Sequence, residues 1–307
     1  MERFKNKTIG VLMGGLSPER EVSLTSGQEV FNAIQSKGLN AVTIDVDHHI
    51  GATLARQKID LAFIALHGTF GEDGTIQGIL EYLKIPYTGS GVLGSAIAYN
   101  KVVSKEIFME RGIPTTPYQV IPIEERDRVL RALDLPVVVK PADQGSSIGV
   151  SIVRTEEKWK KALSDAFQVS EEILIEPFIE GKLLAVGMNG DRPMPIVHIV
   201  PKSGFYDYEA KYTQGKTEYI CPADLTPQEM ERCNEAAIRT FKALKGRGFP
   251  RVDIILEENG TPYVLEMNTV PGMTPTSLLP MAARQTGLEF EDLVIEILKR
   301  ARLDYKY

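Results

Sequence analysis

The N-terminal part of the chain alternates apolar runs with amphipathic segments, the pattern of strands alternating with helices. A helix is predicted between Ser17, a suitable N-cap, and Gly38, a suitable stop, and a second over residues 75–83. This order predicts a parallel sheet whose loops gather at its carboxyl edge. The apolar runs that predict its three strands are residues 8–13, 41–46 and 61–66.

The middle of the chain has a long helical pattern followed by short apolar runs. One continuous helix is predicted over residues 94–111, and Pro114 then ends the pattern. Strands are predicted at residues 136–140, 149–153 and 173–176.

The last part of the chain mixes strands, a polar loop and two helices. Because a single core rarely grows past roughly 250–300 residues, more than one domain is expected. The pattern favours an α/β (α+β) protein with three domains, at residues 1–93, 94–186 and 187–307. The predicted elements of the third domain are a strand at 196–200, a loop over 203–216, a helix over 226–244, a hairpin over 251–268 and a helix over 289–302.

The hairpin carries the most informative polar pattern. The Asn-Gly pair at residues 259–260 predicts a two-residue type I′ turn, which fixes the register. Asp253 then lies opposite Glu266, and Arg251 lies opposite Asn268, all on one face. The opposite face is predicted to be apolar and to pack on the core, through Val252, Ile254, Leu256, Leu265 and Met267.

Two facing carboxylates suggest a metal site. Opposed strand residues have Cβ atoms about 4.5–5.5 Å apart, where like charges repel. The acids Asp253 and Glu266, with the amide oxygen of Asn268, are hard ligands suited to Mg²⁺ whose shell is completed by nucleotide phosphates. Two ions about 3.5–4 Å apart are feasible. The alternative is an exposed polar face with a chance pair of acids.

Two loops offer groups that bind anions. The loop over residues 140–149 joins strand to strand and lacks Gly-Lys-Ser/Thr, so it is not a Walker A loop. With Lys140, Ser146 and Ser147 it is interpreted as a flexible phosphate cover, the alternative being a plain turn. Backbone N–H groups of residues 270–277 could bind a carboxylate or an oxyanion, the alternative being a linker.

The composition of the chain narrows the class of protein to which it can belong. The net charge is −6, and 43% of residues are hydrophobic and 25% charged, as in a soluble globular protein that does not bind nucleic acid. No apolar run approaches the ~20 residues of a membrane span. Cys221 and Cys233 lack metal-ligand spacing, so a reduced, cytoplasmic protein is expected.

A resemblance to a known family covers nearly the whole chain. The chain resembles the D-alanine–D-alanine ligases of the ATP-grasp superfamily, in motifs that follow one another in the expected order. The motifs are residues 14–24, 67–78, 86–91, 140–149, 205–212, 251–253 and 266–274.

The resemblance implies a three-domain ATP-grasp fold with an N-terminal parallel-sheet, Rossmann-like domain, and ATP between the other two domains. It also implies a homodimer and ATP-dependent joining of two D-alanine molecules through an acyl phosphate. The implied nucleotide residues are Lys101, Lys140, Ser146, Ser147 and Lys211 for the phosphates, and Glu176, Pro177, Phe178 and Ile179 for the adenine. Two Mg²⁺ ions, which Mn²⁺ can replace, would be held by Asp253, Glu266 and Asn268.

For the amino-acid substrates the resemblance implies three groups of residues. Glu19 would bind the first ammonium, with His67 nearby, and Ser277 with Leu278 would bind the second carboxylate. Arg251 and the Gly272 amide would stabilise the oxyanion. Glu19, Ser146 and Tyr212 would form a network that closes the loop around Lys211 and Tyr212, the lid, over the site.

Two positions depart from the family pattern. Leu183 stands where the family has an acid that binds the ribose hydroxyls, which predicts weaker ATP binding unless Glu180 compensates. Asn100 replaces the usual Asp before Lys101.

The sequence disfavours three rival functions. Tyr212 disfavours a ligase that uses D-lactate or another second substrate, because lactate-forming relatives often have His in that loop. The hairpin acids and Arg251 disfavour an inactive nucleotide-binding regulator. A Rossmann dehydrogenase needs Gly-x-Gly-x-x-Gly after its first strand, and residues 14–19 do not provide it.

Overall fold

Three separate β-sheets form the framework of the computed structural model, which describes residues 2–213 and 215–305. The first sheet is parallel, with strand order β2-β1-β3, as predicted. Its strands are β1 (Thr8–Gly14), β2 (Asn40–Val46) and β3 (Leu61–Ile64), and its helices are α1 (Arg20–Ser36), α2 (Ile50–Gln57) and α3 (Thr75–Tyr82). Helix α2 was not predicted.

The start of α1 differs from the prediction. The helix begins at Arg20 with Glu19 in the N-cap position, so Ser17 is not the cap. The Ser17 hydroxyl instead donates to the His67 carbonyl at 2.6 Å and accepts the Glu19 N–H at 3.2 Å. Ser17 therefore ties the beginning of α1 to the segment that follows β3.

The predicted helix over residues 94–111 is two helices, α4 (Val92–Tyr99) and α5 (Lys101–Glu110). Asn100 between them is extended, with φ −83° and ψ 112°. Its side-chain oxygen accepts the Val103 N–H at 3.0 Å, which makes Asn100 the N-cap of α5. The break places Lys101 in the first turn of the new helix.

The second sheet is antiparallel, with strand order β4-β7-β5-β6. Its strands are β4 (Gln119–Pro122), β5 (Val137–Pro141), β6 (Ser151–Val153) and β7 (Glu172–Pro177), and α6 (Glu156–Phe167) packs on it.

The third sheet has the order β11-β10-β8-β12-β13, with β9 paired to β8. Strand β8 crosses residues 186 and 187, where a domain boundary was predicted, and the three-domain division stays a prediction. The strands are β8 (Gly181–Asn189), β9 (Arg192–Pro193), β10 (Val197–Pro201), β11 (Thr217–Ile220), β12 (Arg251–Glu257) and β13 (Pro262–Asn268). The helices are α7 (Tyr208–Tyr212), inside the predicted polar loop, α8 (Pro227–Ala243), α9 (Leu278–Arg284) and α10 (Phe290–Lys299).

The hairpin turn between β12 and β13 is not the predicted type I′ turn. That turn requires positive φ at both central residues, but in this turn only Gly260 is positive, at 81°. The Glu257 N–H donates to the Thr261 carbonyl at 3.0 Å, and the Gly260 N–H donates to the Glu257 carbonyl at 2.8 Å. The loop therefore has three residues, which shifts the register by one.

A β-bulge reverses this shift. Ile254 lies opposite Val264, whereas Asp253 lies opposite Glu266, so Leu265 is the extra residue. The predicted facing of Asp253 and Glu266 is thus confirmed, although through two irregularities that compensate each other. Leu265 is half-buried, and Val264 takes its expected place in the core with no exposed surface.

The C-terminal helices return to the first sheet. Helix α10 packs on α1, and residues of both contribute to one apolar core that also includes parts of α9. The first and third sheets are therefore joined through a shared core. Within residues 2–213 and 215–305, no helix has both the length and the hydrophobicity needed to cross a bilayer.

Candidate active site

A cavity of about 990 Å³ lies where the three sheets meet. Twelve of the residues predicted for the site line it: Glu19, His67, Lys101, Ser146, Lys211, Tyr212, Arg251, Glu266, Asn268, Gly272, Ser277 and Leu278. The predicted residues that do not line it are Lys140, Ser147, Glu176, Pro177, Phe178, Ile179 and Asp253.

One hydrogen-bonded network joins the three sheets across this cavity. The Ser146 hydroxyl donates to Glu19 Oε1 and lies 2.7 Å from the Tyr212 hydroxyl. Glu19 comes from the start of α1, Ser146 from the loop between β5 and β6, and Tyr212 from α7. Burial raises the pKa of Tyr212 to about 12, so the phenol keeps its proton at neutral pH.

The loop between β5 and β6 lies closed over the cavity. Ser147 donates to the Tyr206 carbonyl at 3.1 Å, beside the Ser146 contact with Tyr212. Ser146 and Ser147 have φ values of 48° and 60°, a left-handed conformation that non-glycine residues seldom adopt. On the other side, Lys101 Nζ donates to the Gln144 carbonyl at 2.6 Å. These contacts hold the loop from both sides.

His67 lies between an acid and a hydroxyl. Its Nδ1 is 3.3 Å from Glu72 Oε1, and its Nε2 is 3.3 Å from Ser26 Oγ. Ser26 Oγ also accepts the Met273 N–H at 3.4 Å, which connects His67 to the turn beside Gly272. Burial raises the pKa of Glu72, and the His67 hydrogen bond opposes this. Glu72 lines the cavity but was missed as a site residue, although it lies inside the His67 motif.

The open end of the hairpin carries the predicted polar face. Arg251 donates to both carboxylate oxygens of Asp253, at 2.7 and 2.8 Å. Glu266 Oε2 lies 3.5 Å from Lys101 Nζ. Burial would raise the pKa of Glu266, but Lys101, Lys211 and other cations outweigh it and lower the pKa. Glu266 is therefore held ionised.

These acids do not form a complete metal site. No group of three or more His, Cys, Asp and Glu side chains among the described residues could hold a metal ion. Asp253, Glu266 and the Asn268 amide are hard oxygen ligands, a donor set that fits Mg²⁺ when other oxygens complete the shell.

Lys211 brings a cation to the cavity from α7. It lines the cavity, and its Nζ lies 5.3 Å from the Tyr206 ring centre. Burial lowers the pKa of Lys211, while Glu266 and Asp253 oppose the change. A cation held here by acids can also be drawn to a phosphate.

The turn after β13 presents polar groups to the cavity. Ser277 Oγ accepts the Thr274 N–H at 3.1 Å and lies 2.8 Å from Thr274 Oγ1. An added Cβ on Gly272 would meet Ser277 Oγ at 3.1 Å, so the backbone approaches the serine closely. The turn is compact and places Gly272, Ser277 and Leu278 side by side.

Behind the cavity, Glu176 is buried among cations. Lys140 contacts its Oε2, Lys105 Nζ lies 2.5 Å from its Oε1, and Thr116 donates to the same oxygen at 2.5 Å. Burial would raise the pKa of Glu176, but Lys140 and Lys105 lower it to about 2. Lys105 was not predicted as a site residue. Its one indication in the sequence is its position four residues after Lys101, on the same face of a helix.

The segment after Glu176 is fixed by a backbone contact. The Phe178 N–H donates to the Pro136 carbonyl at 3.0 Å, and Arg154 lies over the Phe178 ring at 4.7 Å. The Phe178 N–H is thus already engaged within the protein.

Leu183 lies on the same face of the third sheet as the hairpin acids. It pairs with Ile255 and Ile199 of the neighbouring strands and is half-buried against the core shared with the first sheet. Glu180, the proposed substitute, is exposed in the connection before β8.

Comparisons with known proteins agree with this architecture. The family model of the D-ala D-ala ligase C-terminus matches residues 107–299, and that of the N-terminus matches residues 49–90. The D-alanine–D-alanine ligase of Geobacter sulfurreducens is 50% identical over 307 residues, which cover 99% of this chain and 97% of that protein.

Solved structures give the same result. The Bacillus anthracis D-alanine–D-alanine ligase in complex with ATP superposes with a TM-score of 0.83 at 33% identity, covering 96% of this chain and 97% of that one. The VanG D-Ala:D-Ser ligase of Enterococcus faecalis gives 0.81 at 28% identity, covering 96% and 99%.

The fold and the cavity together define an ATP-dependent ligase of the ATP-grasp type. Its matches extend over essentially the full length of the relatives. The chain belongs to the D-alanine–D-alanine ligase family.

Proposed function

We propose that the protein joins two D-alanine molecules into D-alanyl-D-alanine for peptidoglycan synthesis, converting ATP to ADP and phosphate. One observation carries the proposal: a single cavity combines the ionised hairpin residue Glu266, several cations and a polar turn. Phosphoryl transfer needs charge neutralisation, and amide formation needs an oxyanion site. The relatives named D-alanine–D-alanine ligase support the choice of substrate.

In the first step, the carboxylate of one D-alanine attacks the γ-phosphorus of ATP, and ADP leaves. Glu19 binds the ammonium of this D-alanine, and His67 lies beside it. Lys101, Lys140 and Lys211 contact the phosphates, with the backbone N–H groups of Ser146 and Ser147 donating from the loop. The positive charge of the three lysines supports this assignment, because cations placed around a transferring phosphoryl group stabilise its transition state.

Asp253, Glu266 and Asn268 would hold magnesium, which when bound neutralises phosphate charge. The ionised state of Glu266 and the oxygen-only donor set support this assignment. Glu176 would accept from the adenine amine, with Pro177, Phe178 and Ile179 around the ring.

In the second step, the amine of the other D-alanine attacks the acyl-phosphate carbonyl, and phosphate leaves. Arg251 and the Gly272 N–H stabilise the tetrahedral oxyanion, while Ser277 and Leu278 hold the second carboxylate. The Glu19–Ser146–Tyr212 network keeps the lid closed, which excludes water from the acyl phosphate. We further propose a cytoplasmic homodimer, on the strength of the family alone.

The test measures phosphate release and dipeptide formation with ATP and D-alanine, with and without Mg²⁺. We expect both to depend on D-alanine and Mg²⁺, with D-lactate and D-serine poor second substrates. Asp253→Asn removes a ligand charge and should abolish turnover, whereas Asp134→Asn at an exposed loop is the matched control. Phosphate release independent of D-alanine, or a larger yield with D-lactate than with D-alanine, overturns the proposal.

A further inference from the structure

Lys105 is a fully buried lysine that lies beside the proposed nucleotide site without lining the cavity. Its Nζ lies 2.5 Å from Glu176 Oε1, 2.6 Å from Thr115 Oγ1 and 2.9 Å from Thr116 Oγ1. The Thr116 carbonyl is a fourth acceptor at 3.0 Å. An ammonium has three N–H donors, so internal oxygens satisfy all of them. Lys105 can therefore act on a ligand only through its neighbours.

Lys140 occupies a different position on the same carboxylate. It contacts Glu176 Oε2 from the end of β5, directly before the loop that covers the cavity, and is 8% exposed. In the proposed function Lys140 contacts a phosphate, which draws its charge away from Glu176. Lys105 is then the cation that stays with the carboxylate.

Lys105 also connects Glu176 to the strand that carries Glu266. Thr115 Oγ1, which accepts from Lys105, donates to the Val264 carbonyl at 3.0 Å. The Val264 N–H donates to the Pro114 carbonyl at 2.8 Å. The segment that contains Pro114 and Thr115 is thus bonded to β13 two residues before Glu266. The residues proposed to hold the base and the metal are therefore connected through these hydrogen bonds.

We propose that Lys105 is a positioning residue that determines nucleobase selectivity, by holding Glu176 as an ionised acceptor for the 6-amino group of adenine. The inference rests on the proposed function, in which Glu176 contacts that amine. A buried carboxylate without a cation takes up a proton. A protonated carboxyl can donate to the 6-oxo group of hypoxanthine, so loss of Lys105 removes the preference for adenine.

The experiment compares ATP with ITP, which has an oxo group in place of the amine. Lys105→Met keeps the length of the side chain and removes the charge. We expect the ATP:ITP ratio of kcat/KM to fall at least tenfold through a higher KM for ATP, with less than a twofold change in the KM for D-alanine. Thr116→Val should lower the ratio less, because only one hydrogen bond to Glu176 is lost.

Phe108→Leu is the matched control. Phe108 is buried in the same helix as Lys105, but it packs into the apolar core formed by α8 and the third sheet. The variant should lower the melting temperature and leave the ratio unchanged. Calorimetric binding of ATP and ITP gives the ratio without D-alanine, so the inference can be tested even where the ligase reaction fails. If Lys105→Met does not fold, the ratio in Thr116→Val decides.

Two results overturn the inference in distinguishable ways. If Glu176→Gln lowers the ratio and Lys105→Met does not, Lys105 has no positioning role and the role of Glu176 stands. If Glu176→Gln leaves the ratio unchanged, Glu176 does not contact the adenine, and both assignments fail.

Discussion

At the scale of single residues, Glu19 is held in a space that two glycines leave open. A Cβ added at either Gly68 or Gly145 would come within 2.6 Å of Glu19 Oε2. Gly68 also has a φ of 72°, where glycine is favoured. The position of the carboxylate thus depends on the absence of side chains at Gly68 and Gly145 as well as on the Ser146 hydroxyl.

Gly145→Ala should displace this carboxylate. We expect the KM for the first D-alanine to rise about ten- to a hundredfold, because a shift near 1 Å of a binding group has effects of that size. Gly78→Ala is the control: a Cβ there meets nothing within 4 Å, and the helix should gain about 1 kcal/mol of stability. Steady-state kinetics showing an unchanged KM in Gly145→Ala would contradict the proposed role of Glu19.

The pKa of Glu176 predicts a pH dependence of stability. Its pKa is lowered from 4.5 to about 2 in the folded protein. A lowered acid pKa stabilises the fold fully above about 4.5, and this contribution is lost as the pH falls toward 2. Urea unfolding of the wild type and Glu176→Gln should differ by on the order of 3 kcal/mol at pH 7 and by less at pH 3. Exposed Glu180→Gln is the control, and a constant difference from pH 7 to pH 3 would contradict the prediction.

A substitution at Leu183 is expected to strengthen ATP binding. If the position faces the ribose, Leu183→Glu supplies an acceptor for its hydroxyls and should lower the KM for ATP roughly tenfold. Leu183→Met, which remains apolar, should leave the KM unchanged. An equal KM in the glutamate variant would remove the position from the nucleotide site.

Which single residues could be predicted depended on whether their role is local. Glu19, Ser146 and Tyr212 come from three distant segments, and only the resemblance joined them before the structure was known. Lys105 was missed because its burial arises from packing between α5 and the following segment, which no periodicity encodes. Glu72 was missed for a similar reason, since its contact with His67 depends on how the loop folds back.

At the scale of elements, hydrophobic periodicity located most strands and helices but missed β4, β8, β9 and β11. It also could not detect changes of backbone conformation within an apolar pattern. Residues 94–111 continue one helical pattern, yet the chain breaks at Asn100 because a side-chain cap there competes with the helix. The hairpin shows the same limit, since the Asn-Gly pair does not fix its own dihedral angles.

Asn100→Ala should remove the cap of α5 and weaken nucleotide binding together. We expect a loss of about 1 kcal/mol in the free energy of unfolding and a higher KM for ATP, because Lys101 begins the capped helix. Asn100→Asp keeps the cap and should retain both values. Thr226→Ala removes the capping box of α8, away from the cavity, and should lower stability alone. Equal effects on KM from both alanine variants would refute a link between the cap and ATP.

At the scale of the whole molecule, the cavity depends on contacts among all three sheets. The Ser146 hydroxyl is the shared point, bonded to Glu19 at the start of α1 and to Tyr212 in α7. The resemblance predicted this network, whereas its closed geometry required the arrangement of the sheets. No local pattern specifies how distant sheets are placed.

Tyr212→Phe should loosen the closed lid. Water then reaches the acyl phosphate, so the ratio of phosphate released to dipeptide formed should rise above one while ATP binding changes little. Tyr82→Phe, at a side chain that is 87% exposed, is the control for loss of a phenol. A ratio of one in Tyr212→Phe, measured by parallel phosphate and dipeptide assays, would show that the hydrogen bond does not seal the site.

Two ion pairs affect the order in which magnesium and the nucleotide bind: Arg251 with Asp253, and Lys101 with Glu266. Both acids already have an internal counterion, so a free divalent ion must compete with a tethered guanidinium and a tethered ammonium. Phosphates change that balance, since they attract the same two cations and bring further oxygens to the metal. Magnesium should therefore enter together with the nucleotide rather than ahead of it.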